Sequence, residues 1–232
     1  MAEKIKYTRK DLKGPDEFIS AFSRAVAWTR ENRSKMLAAA GGMLLLIGGV
    51  LGSQAYFRWK ENKATRDLWP HLNRAREVLQ APSAADEEKL ARLEQFLTVY
   101  LNVHPGAAAS VYARYYLGSI AFLRGNYDLS AAQFRAASKE SKVGEIMPFL
   151  LRTGLAQALE AKGDFGAAME AYREAAAAAG GELRAQAQMG QARAMSLSGR
   201  KQEAAALYRQ ILVGTSDPRT KELIEIKLAQ AE

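Results

Sequence analysis

The chain contains no cysteine, only two histidines and only six prolines among its 232 residues. Without thiols no disulfide can staple it, and thiolate catalysis and cysteine-based zinc sites are closed to it. His71 and His104 are expected in different helical hairpins, and no HExxH, paired-carboxylate or GxxxxGK[ST] spacing surrounds them. His104 precedes Pro105, the place of a helix terminus rather than a catalyst. Glu87, Glu88 and Asp164 fit solvated or capping roles. The residues therefore suggest no enzyme, no cofactor and no metal. Scarce proline with abundant alanine and leucine favours helix over sheet, because Ala and Leu lose little side-chain entropy in a helix.

The formal net charge is +8, so a nucleic-acid partner has to be weighed. The cations form no single stripe. Lys4, Lys6, Arg9, Lys10 and Lys13 sit in the N-terminal tail; Arg30, Arg33, Lys35, Arg58, Lys60 and Lys63 bracket an apolar run; the rest alternate with acids. That distribution argues against nucleic acid and suits the anionic headgroups at the two edges of a membrane span.

The apolar run is Met36 to Phe57, without a charged residue. It matches the roughly 20 residues a helix needs to cross the hydrocarbon core. Ser53 and Gln54 lie near one end, Tyr56, Phe57 and Trp59 suit the interface, and Trp28 could serve the other side. A buried core helix would carry a polar stripe, and this run has none. A cleaved signal peptide is suggested by Ser53-Gln54-Ala55, but the preceding region is too long and the run exceeds a signal's apolar stretch. The expectation is an uncleaved anchor in membrane lipid through residues 36–57. The basic tail favours a cytoplasmic N-terminus, though Arg58, Lys60, Lys63 and Arg66 on the far flank narrow the charge bias. Gly48 and Gly52 allow close helix pairing without requiring it. Before the span, Gly14-Pro15-Asp16-Glu17 marks a helix start, and Phe18, Phe22, Ala25 and Thr29 follow at helical spacing. An interfacial helix is expected there, with docking to a cytosolic partner as the alternative.

Downstream one pattern recurs. Gly125-Asn126-Tyr127 is followed by Ala131, Phe134 and Ala137; Gly163-Asp164-Phe165 by Ala168, Tyr172 and Ala175; Gly199-Arg200-Lys201 by Ala204, Tyr208 and Ile211. The glycines lie 38 and 36 positions apart. Each feature has a physical reason: glycine ends helix A in the left-handed conformation, alanines admit close helix approach, and the second aromatic fills the space between repeats. Leu117-Gly118 and Leu155-Ala156 form the close-contact pair on helix A. Gln191-Ala192 and Lys201 depart from the pattern, so the third unit is degenerate.

Residues from about 108 to 216 therefore resemble three tetratricopeptide repeats. The expected fold is all-α: a single N-terminal transmembrane helix followed by a tetratricopeptide-like right-handed α-solenoid of helix hairpins. The organisation is a basic tail with an amphipathic helix (1–35), the span (36–57), a linker helix and divergent hairpin (58–106), three repeats (107–216) and a capping helix (217–232). Within the divergent hairpin, helices are expected over Arg66 to Gln80 and Asp86 to Val103, broken at Ala81-Pro82-Ser83-Ala84 and ended at His104-Pro105-Gly106. The final helix, alternating apolar and charged, fits a solvated cap.

The resemblance implies a protein-binding groove lined by helix A. In its register the groove would present Tyr112, Tyr115, Ser119 and Phe122, then Leu150, Thr153, Gln157 and Glu160, then Gln186, Met189 and Arg193. The family's chaperone-tail binders clamp a terminal carboxylate with Lys and Asn, which are missing at the matching positions. An apolar, aromatic groove suits extended or unfolded segments instead. Tyr112, Tyr115 and Phe122 share one helix face, and two readings stay open: groove anchors, or core packed on the preceding hairpin.

The order of short tail, single span and repeat domain resembles the YfgM family, ancillary subunits of the bacterial SecYEG translocon. That resemblance implies an inner-membrane protein with a periplasmic repeat domain. It implies translocon and periplasmic chaperone components, or unfolded clients, as partners. The function expected is chaperone-like help to newly exported proteins. The alternative is a structural scaffold subunit of an envelope, secretion or cytochrome-maturation complex.

Overall fold

The structure, a computed structural model, describes residues 13–80, 87–140 and 143–231. Among these the chain is helical throughout, in ten helices joined by turns. It divides into two units, Met1–Arg58 and Trp59–Glu232. The tail cations Lys4 to Lys10 and the expected break at Ala81 to Ala84 lie outside the described residues.

The first unit contains α1 (Lys13–Glu31) and the opening of α2 (Arg33–Gln80). Asn32 separates them, its side-chain amide donating to the Trp28 carbonyl at 3.0 Å. α2 carries the charge-free run and is the one described helix long and apolar enough to cross a membrane, with none of its apolar window buried. The sequence pattern predicts a new helix at Arg66; instead α2 is continuous through Gln80. The residues between Phe57 and Arg66 include no glycine or proline, so nothing there stops propagation. Pro70 withholds one backbone donor without ending the helix.

In the second unit the C-terminal part of α2 lies in one hydrophobic cluster with α3 (Glu87–Val103). Three hairpins follow: α4 (Ser110–Leu123) with α5 (Tyr127–Glu140), α6 (Met147–Lys162) with α7 (Phe165–Ala177), and α8 (Gly181–Leu197) with α9 (Lys201–Gly214). α10 (Pro218–Ala231) closes the row. From α3 onward each helix packs on the next in the chain, and α4 touches α6 as α6 touches α8. This is the contact pattern of a solenoid.

The three hairpin turns are built alike. Gly125, Gly163 and Gly199 have φ of 73°, 87° and 87°, the left-handed region that favours glycine. At each, the glycine N–H donates to the carbonyl three residues back and the next N–H to the carbonyl five residues before it, as in Asn126 to Ala121 and Asp164 to Leu159, both 2.9 Å. That pair of bonds satisfies the last carbonyls of helix A. The same following residue then starts helix B: Asn126 Oδ1 accepts from Leu129 N, and Asp164 Oδ1 from Ala167 N. Arg200 supplies no such cap, which is the local cost of the degenerate third unit.

The aromatics of helix B sit in slots cut by small residues. Phe134 is 3% exposed. A Cβ placed on Gly118 of α4 would lie 3.0 Å from its ring, and one on Gly154 of α6 only 2.7 Å. Phe134 is thus wedged between its own hairpin and the next. Tyr172 repeats the arrangement against Gly190 of α8, where a Cβ would come closer still. Ser130, fully buried, donates to the Gly118 carbonyl at 2.8 Å and fastens α5 to α4. Tyr100 of α3 is the counterpart in the first hairpin, its hydroxyl donating to the Ala64 carbonyl at 3.1 Å.

The two histidines, expected in different hairpins, share the first one, because α2 and α3 form it together. His71 on α2 stacks on Phe96 at 3.6 Å between ring centroids. His104, just past α3, is buried with Nε2 3.2 Å from Asp67 of α2. His71 is held below its ordinary pKa by burial and then by Arg74.

Candidate partner-binding groove

Helices α4, α6 and α8 are the A helices of the stack, and the expected groove residues divide along it. On α4, Tyr112, Tyr115, Ser119 and Phe122 fall at intervals of three, four and three, one face of a helix. All four are half-buried. Tyr112 leans on the clusters around Tyr100 and around Phe134. Tyr115 meets the Phe134 ring edge-on at 5.8 Å, and burial pushes its hydroxyl pKa up. Ser119 Oγ donates to the Tyr115 carbonyl at 3.0 Å. Phe122 packs on the Tyr172 cluster and against Tyr127 at 5.5 Å. These side chains thus have one flank on the core and another in solvent.

On α6 and α8 the lining is mixed, with Leu150 and Met189 among polar side chains. Leu150 and Thr153 are half-buried, and Thr153 Oγ1 has no hydrogen-bond partner among the described residues. Gln157 and Gln186 are exposed. Met189 is half-buried on the cluster around Tyr208. Glu160 and Arg193 are brought together: Arg193 Nε donates to Glu160 Oε1 at 2.7 Å and Nη2 to Oε2 at 3.0 Å. Tyr172 completes the triangle, donating to Glu160 Oε2 at 3.0 Å and accepting from Arg193 at 2.9 Å. The Glu160 side chain is 13% exposed, so the fork and the Tyr172 hydroxyl supply its hydrogen-bond partners in place of water. The pair holds the Arg193 guanidinium firmly charged, while burial, then the Glu160 charge, pushes the Tyr172 hydroxyl up.

Sequence reasoning missed Trp69. It lies on α2, 55% exposed, edge-on to Tyr112 with centroids 6.5 Å apart. It carries the row of half-exposed rings one hairpin further. A signal was available: Tyr100 stands 34 residues before Phe134, the repeat interval, which marks α2 as an A helix. Ion pairs also link helices along the stack. Arg124 after α4 meets Glu87 and Glu94 of α3, and Lys162 of α6 meets Asp128 of α5.

A stack of helical hairpins with turn glycines, small-residue slots and a lined A-helix face defines a repeat protein built for protein–protein contact. The tetratricopeptide repeat family model matches residues 90–142 and 153–219, just over half of the chain, and the chain belongs to that family. No curated protein sequence matches it. Among solved structures, it is similar to the nearly identical tetratricopeptide-like repeats of a Podosopora anserina protein described as a putative kinesin light chain. The identity is 19% and the TM-score 0.62, over 72% of this chain and 86% of that one. A single-residue variant of the same protein matches equally, over 85% of its length. At that identity the likeness concerns the fold alone.

Proposed function

We propose that this chain is a membrane-anchored interaction subunit of the bacterial inner membrane. Residues 36–57 cross the bilayer, the N-terminus lies in the cytoplasm and the repeat domain in the periplasm. There it assists newly exported proteins beside the translocon and a periplasmic chaperone. The observation that carries the interaction reading is the row Trp69, Tyr112, Tyr115 and Phe122 on two A helices, since half-exposed aromatics are the usual anchors of a protein contact. The anchor is supported by the fully exposed apolar window of α2, which in water would be an unsheltered surface. The placement is supported by the basic tail and by the layout shared with the YfgM family.

A second reading, a stoichiometric scaffold subunit, is favoured by the outer face of α10. Leu223 and Ile226 remain about half-exposed there, although a solvated cap is expected to end the stack. A photo-crosslinking amino acid at Gln157 or Gln186, both exposed groove positions, tests the two in living cells. Crosslinks to translocon or chaperone subunits and to several exported proteins are expected. A single crosslinked partner captured from Leu223 but not from Gln157 would establish the scaffold. Crosslinks confined to cytoplasmic proteins would overturn the topology.

A further inference from the structure

We infer that α1 is a second membrane-binding element, lying along an anionic bilayer surface with Ile19, Phe22 and Val26 in the acyl boundary. This rests on the reading that residues 36–57 span the membrane, and concerns a helix that reading leaves unused. Ile19, Phe22 and Val26 are spaced at i, i+3 and i+7, so they share one face. Ile19 is 62% and Phe22 65% exposed, so no described part of the protein covers that face. Ser20, Arg24, Ala27 and Glu31 lie on the opposite side. Helical order is complete without an apolar partner: the Arg24 guanidinium and Ser23 hydroxyl bond the Ser20 carbonyl, and the Thr29 hydroxyl bonds the Ala25 carbonyl at 2.7 Å.

Charge and tethering select lipid as the occupant. Along α1 and the start of α2, Lys13, Arg24, Arg30, Arg33 and Lys35 stand against Asp16, Glu17 and Glu31, and the excess of cations gathers toward the span. Cations near a leaflet of anionic lipid gain from its negative surface potential, and a long Arg beside the apolar face, as Arg30 is, can reach back to the headgroups. Only Asn32 separates α1 from the helix that carries the charge-free run, so the apolar face is held where acyl chains begin. Trp28, 57% exposed, is four residues after Arg24 and falls with it on the opposite side, outside the apolar face. An amphipathic helix of this type lies in the interfacial plane rather than crossing it.

The chain has no cysteine, so single-cysteine variants label cleanly. Phe22→Cys, Ala27→Cys and, in the span, Leu46→Cys would carry an environment-sensitive fluorophore. The full chain would be reconstituted in phosphatidylcholine vesicles with or without phosphatidylglycerol. In anionic vesicles, Phe22→Cys should emit to the blue of Ala27→Cys and be quenched by shallow spin-labelled lipid. Its quenching by aqueous iodide should be several-fold weaker. Omitting phosphatidylglycerol should weaken the lipid signal at Phe22→Cys and leave Leu46→Cys unchanged. Equal iodide access at Phe22→Cys and Ala27→Cys, with Leu46→Cys still in lipid, would overturn the proposal alone. Shielding from iodide without quenching by lipid would mean that a protein covers the face, which also overturns it. An unchanged signal in neutral vesicles would remove the anionic headgroups from the account. Failure of Leu46→Cys to respond to deep spin-labelled lipid would remove the span and this helix's surface with it.

Discussion

Phe134 has a glycine on either side of its ring, and both contacts leave no room for a methyl group. Two opposite errors at this slot should therefore be costly. Phe134→Ala opens a cavity between two hairpins and should destabilise by roughly 3–5 kcal/mol. Gly154→Ala overfills the slot and should cost about 1–3 kcal/mol, despite alanine's better helix propensity. Combining Gly154→Ala with Phe134→Leu should recover part of that loss, since the two sites share one volume. Urea unfolding followed by circular dichroism reads all three, and strict additivity would show that the ring does not fill the slot. The Glu160–Arg193 fork makes a different demand. Arg193→Met leaves a nearly buried carboxylate with only the Tyr172 hydroxyl, and should cost on the order of 1–2 kcal/mol after allowance for the half-exposed arginine.

At the scale of elements, α10 carries the sharpest expectation. Asp217 starts it, accepting from Thr220 N at 2.8 Å and from Thr220 Oγ1 at 2.6 Å. Ile224, fully buried, covers the last slot together with Leu228. Removing residues 217–232 should expose Tyr208 and Ile211, promote aggregation and lower the melting temperature, measured by light scattering and thermal circular dichroism; an unchanged transition would refute the capping role. Much of the element order was legible in the sequence because the turns are encoded locally. Gly125, Gly163 and Gly199 each end a helix whatever lies around them, and Asn126 and Asp164 start the next. The continuity of α2 was legible too, in the lack of glycine or proline between Phe57 and Arg66, though a new helix was expected there. What local signals do not carry is the pairing of His104 with Asp67, which depends on the first hairpin closing. The groove residues follow from the repeat register, but Glu160 meeting Arg193, and Trp69 meeting Tyr112, arise only when hairpins stack.

For the whole molecule, the interior tyrosines set a limit on the alkaline side. Burial pushes Tyr100 up to about 12, and Tyr115, Tyr172 and Tyr208 are raised for the same leading reason. An unfolded tyrosine ionises near 10, so their contribution is complete below that pH and declines as pH rises, through about 12 for Tyr100, by up to about 1.4 kcal/mol per pH unit for each group. Phenolate absorbance should therefore appear in two stages, exposed tyrosines first and the buried set together with loss of helix. A single titration near pH 10 with the helix intact would contradict their burial. The neighbour-only contacts of the stack carry a further, mechanical consequence. A load applied between its ends passes through the interfaces in series, because the main packing among the described residues joins neighbouring helices and hairpins. Under tension such a chain should yield stepwise, hairpin by hairpin, beginning at its weakest joint. The uncapped Arg200 turn, just before the terminal pair in which α10 packs chiefly on α9, marks that joint near the C-terminal end.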